Sequence, residues 1–518
     1  MEWNIGKIVS KRADLTPDKA CIIYEGNPIT YKDFNDNVNR LANYLMASGL
    51  KKGDRIAVAL LNCPESLEVY FAAAKLGLIY VPLNYRLAAP ELKYQLDNSG
   101  SRLLVFHDSL LKNVETIYSS SVVEKDKFIY LESGIPDCPG CPEWAIEFNE
   151  AREGYLIDEP VLETPIDFND PLCIMYTSGV TGEPKGAVLS HQQTYFKNFQ
   201  VILYTDMRSN DRFLSQSPLF HSAGLFIAST PTFCRGGTVV MRQKFDPERF
   251  CLDIEEYRPT VILCLTSMWT MILESGKLDE IDTSSVRVVI DGGERTPPKM
   301  FDDLADRGIQ IQNAYGQTEN SLMMVMPREY IWKKMGSIGK PGFFTEVWIA
   351  DKNGKKLPPG ETGELVARGP VVMSGYWNMP EKTKETIVKG VLHTGDLAYM
   401  DEDGFFYIVD REKDMYRSGG ENVYPAEVEK VLADHPKVLN ISIIGVPDEK
   451  WGETGMAFVV LNKGETSTRE ELIDFLNGKV ARYKFPTHFK FMDELPMTAS
   501  GKIKKVELKK KYGVRLNK

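Results

Sequence analysis

Short apolar runs recur through most of the chain ahead of residue 410. They are RIAVALL at 55–61, LCIMYT at 172–177, TVVM at 238–241, TVILCL at 260–265 and VRVVI at 286–290. Amphipathic stretches with helical spacing separate them. A strand that is apolar on both sides must be covered on both faces, and the intervening helices supply that cover when the strands pair in parallel. The expected class is therefore α/β, with a large N-terminal domain of several parallel sheets covered by helices.

The pattern changes where FFYIV at 405–409 runs into the charged DREKD at 410–414. Beyond it lies a unit of about a hundred residues, the size of a small domain. It carries a helix, AEVEKVLADH at 426–435, strands LNISIIGV at 439–446 and AFVVLN at 457–462, a second helix, REELIDFLNGKV at 469–480, and a basic tail. We expect a division into residues 1–412 and a small α+β domain, 413–518. A chain of 518 residues with 43% hydrophobic and 26% charged residues has enough apolar surface for more than one core.

A formal net charge of −10 leaves no basic stripe, which argues against nucleic acid as a partner. The longest apolar candidates, 261–273 and 70–83, carry polar breaks or Lys75 and fall short of the ~18 residues of a membrane span. They are expected to be core segments. The N-terminal residues lack the apolar region of a signal peptide and the C-terminal RLNK is no peroxisomal address, so the expected location is cytoplasmic. Most of the eight cysteines sit in apolar stretches, as reduced core thiols do. Cys138 and Cys141 form a CxxC without a second ligand pair, which is expected to be an incidental loop feature. The stretch 119–165 is expected to be a surface excursion, the loosest part of the large domain.

YTSGVTGEPKG at 176–186 follows directly on an apolar run and combines glycines, hydroxyls and one lysine. Backbone N–H groups and hydroxyls in a concave loop, with a compact cation beside them, suit a polyphosphate. The loop is not a Walker A motif: Gly186, not Ser or Thr, follows Lys185, and the glycine spacing differs.

Five further stretches follow in order: NAYGQTE at 313–319, GELVARG at 363–369, LHTGDLAY at 392–399, DREKDMYRSGGENVYPAEVE at 410–429 and TASGKIKK at 498–505. With the phosphate loop, and over nearly the whole chain from TYKDF at 30–34, they resemble the adenylate-forming superfamily of acyl-CoA synthetases, aryl-CoA ligases, luciferases and adenylation domains. The resemblance implies an ATP/AMP-dependent acyl-CoA synthetase with Mg²⁺. It would join a carboxylic acid to AMP with release of pyrophosphate, then pass the acyl group to coenzyme A.

Roles follow from the resemblance. Thr177, Ser178, Gly179, Thr181, Gly182 and Lys185 would hold the β- and γ-phosphates, Thr318 the α-phosphate, and Glu319 the metal. Tyr315 would stack on adenine, with Gly292, Gly293, Glu294, Ala314, Gly316 and Tyr407 around the nucleotide. Asp396 would accept the ribose hydroxyls beside Arg411. Lys502 would be the catalytic lysine, bridging carboxylate and α-phosphate, and Lys413 the pivot of a mobile C-terminal lid. After adenylation the SGG strand, with Ser418, Gly419 and Gly420, would line a pantetheine tunnel, while Arg86, Trp451, Tyr483 and Lys484 would meet the rest of coenzyme A. A homodimer is compatible with the family.

The sequence departs from the family at several positions. Val180 stands where a hydroxyl is usual, Thr266 where proline is common, and Glu294 where a smaller residue is common. Tyr416 and Arg417 replace an apolar pair and are expected at the surface. At 218–226, PLFHSAGLF lacks the aspartate that binds an amino group in amino-acid-activating relatives. His221, Phe226, Trp269, Gly292, Ala314, Gly316 and Met323 would wall a mostly apolar acyl pocket, and His221 is also a candidate catalytic group. Such a pocket suits an aromatic, alicyclic or medium-chain acid. The alternatives are a stand-alone adenylation enzyme loading a carrier protein, a luciferase-like oxygenase, and a non-catalytic binding protein. Direction is also open, because thioester synthesis is nearly balanced and could run towards ATP.

Overall fold

Two sheets form the body of the computed structural model, which describes residues 3–135, 138–177, 184–293, 296–411, 414–418, 421–448, 451–477, 479–480, 482–497 and 503–513. The first has eight strands. From Pro171–Thr177 through Ile79–Pro82, Arg55–Ala59, Leu103–His107 and Phe128–Leu131 to Ile146–Glu147, the neighbours pair in parallel. Lys185–Ser190 and Gly375–Tyr376 continue it antiparallel at the other edge. The second has nine strands, of which Ala20–Tyr24, Thr238–Met241, Arg212–Ser215, Val261–Leu263, Val288–Gly292 and Ile311–Tyr315 are consecutive and parallel. All five apolar runs of the sequence lie in these two sheets.

Helices Tyr31–Ala47 and Pro64–Leu76 pack into one large core with His191–Thr205 and Thr230–Arg235. The break that Lys75 makes in its apolar run is satisfied internally. Its Nζ donates to Asn35 Oδ1 at 2.8 Å, Asn39 Oδ1 at 2.6 Å and Glu159 Oε1 at 2.6 Å.

One sheet was unforeseen and two expectations are corrected. A third sheet, antiparallel and built from Glu346–Ala350, Gly363–Arg368, Ile387–Val388, Val391–Met400 and Phe406–Arg411, was not foreseen. The stretch 119–165 is no plain excursion: Phe128–Leu131 is a buried strand, and Trp144 stacks on Phe106 at 5.8 Å. Tyr416 is 2% exposed, not at the surface. It fills space left by two glycines of the C-terminal sheet, since a Cβ at Gly445 would collide with its Cβ and one at Gly455 would lie 2.5 Å from its hydroxyl.

The C-terminal residues form a five-stranded sheet around the long hairpin Val438–Asp448 and Gly452–Leu461, with helices Pro425–Ala433, Arg469–Leu476 and Lys505–Tyr512 against it. The class is α/β with a small α+β C-terminal part, as the periodicity predicts. Among the described residues no helix is long and apolar enough to cross a membrane.

Candidate active site

In open parallel sheets, ligands bind beyond the carboxyl ends of the strands. Thr177, Gly292 and Tyr315 all stand at such ends. The parallel register sets Gly292 beside Ala314, and a Cβ at Gly292 would lie 2.5 Å from the Ala314 carbonyl oxygen. Only glycine lets these two strand ends approach so closely. Gly293 follows in the left-handed region at φ +86°, a conformation glycine adopts without strain.

After Tyr315 the chain makes a tight turn. The Asn320 side chain accepts from the Gln317 N–H at 2.8 Å, the Gln317 carbonyl accepts from the Ser321 N–H at 2.6 Å, and Ser321 itself has φ +53°. A Cβ built on Gly316 would land on the Ser321 carbonyl oxygen. The turn presents Thr318 and Glu319, both half-buried.

Glu319 meets the phosphate-loop lysine through a residue that the sequence reading passed over. Tyr376 donates its hydroxyl to Glu319 Oε1 at 2.7 Å, and Lys185 Nζ lies 4.6 Å from the centroid of the same ring. The antiparallel register sets Tyr376 beside Ala187, two residues along from Lys185. Burial lowers the Lys185 pKa while Glu319 opposes the shift, and burial followed by Glu319 raises that of Tyr376. Nothing in the SGYWN stretch marks this tyrosine as other than a core aromatic.

Asp396 is buried on the antiparallel sheet. Its Oδ2 accepts from the Tyr315 hydroxyl at 2.5 Å and from Gln317 Nε2 at 2.9 Å. The strand that carries it is braced by Glu364 of GELVARG, whose Oε1 accepts the Gly395 N–H at 3.0 Å and whose Oε2 lies 2.7 Å from His393 Nδ1. The register places Arg411 opposite Asp396. Tyr407 is turned to another task, stacking on Tyr399 at 4.9 Å and donating to Asp401 at 3.2 Å.

The residues foreseen as acyl walls do not form one surface. Phe226, Trp269 and Met323 are each fully buried in a different cluster. The helix Thr266–Ser275 turns Trp269 onto Phe250, in the core shared with the helix Pro247–Tyr257. Met323 packs under the antiparallel sheet, with its backbone N–H on the Tyr315 carbonyl. His221, half-buried, leads into a π-helical stretch, Ala223–Ser229. Such stretches occur often at functional sites. Ser222 is tied to the 317–321 turn by a 3.0 Å contact between its Oγ and that of Ser321, and π-helical spacing puts Phe226 on the same face as Ser222.

The coenzyme A candidates are spread over both parts of the chain. The Arg86 guanidinium lies 4.7 Å from the Tyr85 ring centroid. In the C-terminal part, Ser418 pairs with Gly452, next to the exposed Trp451, and Lys484 forms an ion pair with Glu427. Ser178, Gly179, Val180, Thr181, Gly182, Glu294, Lys413, Gly419, Gly420 and Lys502, with the side chains of Arg411, Arg417 and Tyr483, lie outside the described residues.

The sequence model of the AMP-binding enzyme family matches residues 9–377, and that of the AMP-binding enzyme C-terminal domain matches 427–502. The chain is 38% identical to a feruloyl-CoA synthase of Amycolatopsis sp, covering 98% of this chain and 99% of that one. It is 32% identical to an indoleacetate–CoA ligase of Aromatoleum aromaticum, with 98% and 97% covered. Among solved structures, o-succinylbenzoate CoA synthetase of Bacillus subtilis in complex with its acyl-adenylate superposes with a TM-score of 0.86 at 32% identity, over 98% of both chains. ATP-bound MatB of Rhodopseudomonas palustris gives 0.89 at 30% over 99% of both. The chain belongs to the adenylate-forming AMP-binding enzymes, in their acyl-CoA synthetase branch, and is an AMP-forming acid–CoA ligase.

Proposed function

We propose that this ligase activates an aromatic carboxylic acid. The observation that supports this nucleotide chemistry is the convergence on one turn: Tyr376 bonds Glu319 and holds Lys185 over its ring, while Asp396 is held by Tyr315 and Gln317. In the first step a carboxylate oxygen attacks the α-phosphorus and pyrophosphate leaves. Two anions must meet, so positive charge and hydrogen-bond donors have to be in place beforehand. Lys185 serves the departing pyrophosphate with Thr177 and the 178–182 hydroxyls, Thr318 serves the α-phosphate, and Lys502 bridges carboxylate and phosphate. Asp396 holds the ribose.

Glu319 fits a Mg²⁺ site of the kind completed by the substrate. Among the described residues no group of three or more His, Cys, Asp or Glu side chains could hold a metal alone, and Mg²⁺ favours one or two carboxylates plus phosphate oxygens. Bound there, the ion would offset phosphate charge.

In the second step the thiol of coenzyme A attacks the acyl carbon and AMP leaves. We assign this step to a rotated lid, residues 413–518, turning at Lys413 so that Lys502 withdraws and the strand at Ser418 approaches. The reaction is reversible in this scheme. The aromatic assignment draws support from relatives named for ferulate, indoleacetate and 2-succinylbenzoate. It is tested by pyrophosphate release over straight-chain, branched, alicyclic and aromatic acids with free coenzyme A as acceptor. Aromatic acids should give the highest kcat/KM, and a straight-chain acid that exceeds them overturns the assignment. Lys502→Ala should cripple adenylation while sparing thioester formation from supplied acyl-adenylate, and Lys413→Pro should do the reverse. Equal loss of both steps in both folded variants refutes the rotating lid.

A further inference from the structure

The helix His191–Thr205 buries a lysine without an oxygen acceptor among the described residues. Lys197 is 2% exposed, and its Nζ has no hydrogen-bond partner among the described residues. It lies 5.3 Å from the centroid of the Phe226 ring. Lys75 shows how this fold treats a lysine buried for structure, surrounding it with three oxygen acceptors. Among the described residues Lys197 has none.

A second orphan donor lies against the same ring. Tyr70, on the helix Pro64–Leu76, packs its ring edge on Phe226 with centroids 6.4 Å apart, and its buried hydroxyl has no hydrogen-bond partner among the described residues. Its polar neighbour Thr194 has committed its own proton to the Ser190 carbonyl. Both donors are near enough to Cys173 of the strand Pro171–Thr177, and Lys197 to Glu319, to be influenced by their charge. Phe226 shares the π-helical face that Ser222 turns to the 317–321 turn. An amine and a phenol therefore converge on one aromatic ring.

Buried donors are kept unpaired at a cost unless a ligand completes them. We propose that Lys197 and Tyr70 are specificity-determining residues that receive an oxygen acceptor carried on the apolar body of the acid, as in a ring-hydroxylated or ring-methoxylated aromatic acid. This rests on the aromatic reading and on Phe226 bordering the acyl site. A site built around donors rejects analogues that lack the acceptor far more strongly than a greasy pocket rejects a missing methylene.

The test compares cinnamic acids carrying hydroxyl, methoxyl, methyl or hydrogen at the ring position para to the side chain. Their kcat/KM is followed by pyrophosphate release in the full-length wild type, Lys197→Met, Lys197→Gln and Tyr70→Phe. The wild type should favour an oxygen substituent over methyl by about tenfold or more, from the strength of a charge-assisted bond. Lys197→Met should bring that ratio to within about threefold of unity, and Tyr70→Phe should lower it in part. Lys197→Gln keeps a neutral donor and should retain part of the preference, which also covers the case in which Met at this position fails to fold. A ratio unchanged in Lys197→Met, or already near unity in the wild type, overturns the inference while leaving aromatic activation intact. Turnover of straight-chain acids alone would instead overturn the aromatic reading.

Discussion

Replacing Lys197 by methionine should stabilise the protein, and by an amount that depends on pH. Burial lowers the pKa of this amine from 10.5 to about 7, with Cys173 on the neighbouring strand and then Glu319 on the turn opposing the shift. In the unfolded chain the amine keeps its proton up to its ordinary value, whereas in the fold it gives the proton up above about 7. Between those values the unfolded state binds more protons, so wild-type stability rises with pH; below them both states are protonated and the penalty is full and constant. The shift corresponds to a penalty of about 4 kcal/mol at pH 7 and about 2 kcal/mol at pH 9. Methionine has no such term and nearly the same shape. Lys197→Met should therefore melt higher than wild type at pH 7, and the gap should shrink by about 2 kcal/mol between pH 7 and 9. With an unfolding entropy of about 2.1 cal/mol/K per residue over roughly 400 residues, that is about 2–3 °C in Tm. Scanning calorimetry of both proteins at pH 6, 7, 8 and 9 measures it. A gap that stays constant across this range refutes the claim that the amine is buried without a partner.

Lys75→Met should act in the opposite sense, lowering the melting temperature at neutral pH. It strands the buried Asn35 and Asn39, a loss of about 1–3 kcal/mol for buried polar groups left without a partner, and breaks the ion pair to the exposed Glu159; an unchanged Tm would refute the structural role of Lys75. Tyr376→Phe keeps the ring beside Lys185 but removes the hydrogen bond to Glu319. Hydrogen bonds to charged groups contribute about 1.5–3 kcal/mol, so kcat/KM for ATP should fall about 10- to 100-fold while the ranking of acids holds; a changed ranking with normal ATP kinetics would move Tyr376 out of the nucleotide site. Gly316→Ala must displace the Ser321 carbonyl, so pyrophosphate release should be lost while circular dichroism remains that of the folded protein. Full activity in that variant would show that the turn yields freely.

The sequence by itself determined the class of the fold, because a run such as TVILCL cannot be half-solvated and needs cover on both faces. It also singled out Lys185, Tyr315, Glu319 and Asp396, the polar residues to which we propose nucleotide roles, because they lie in ordered motifs whose glycines have steric reasons to be there. Gly292 and Gly316 are positions where a Cβ would strike backbone. The tertiary structure alone decided what those residues touch. Tyr376 sits 57 positions from Glu319 along the chain and reaches it only because its strand pairs with the one that Lys185 begins. That Trp269 packs on Phe250 was likewise hidden, because a large apolar side chain carries no sign of which face of its helix turns inward. Tyr416 was misplaced because the space it fills is made by Gly445 and Gly455, far from it in sequence. Lys75 and Lys197 are the sharpest case. Both are lysines in apolar surroundings on a helix, and only the acceptors brought in by other segments, present around Lys75 and lacking around Lys197 among the described residues, separate the two.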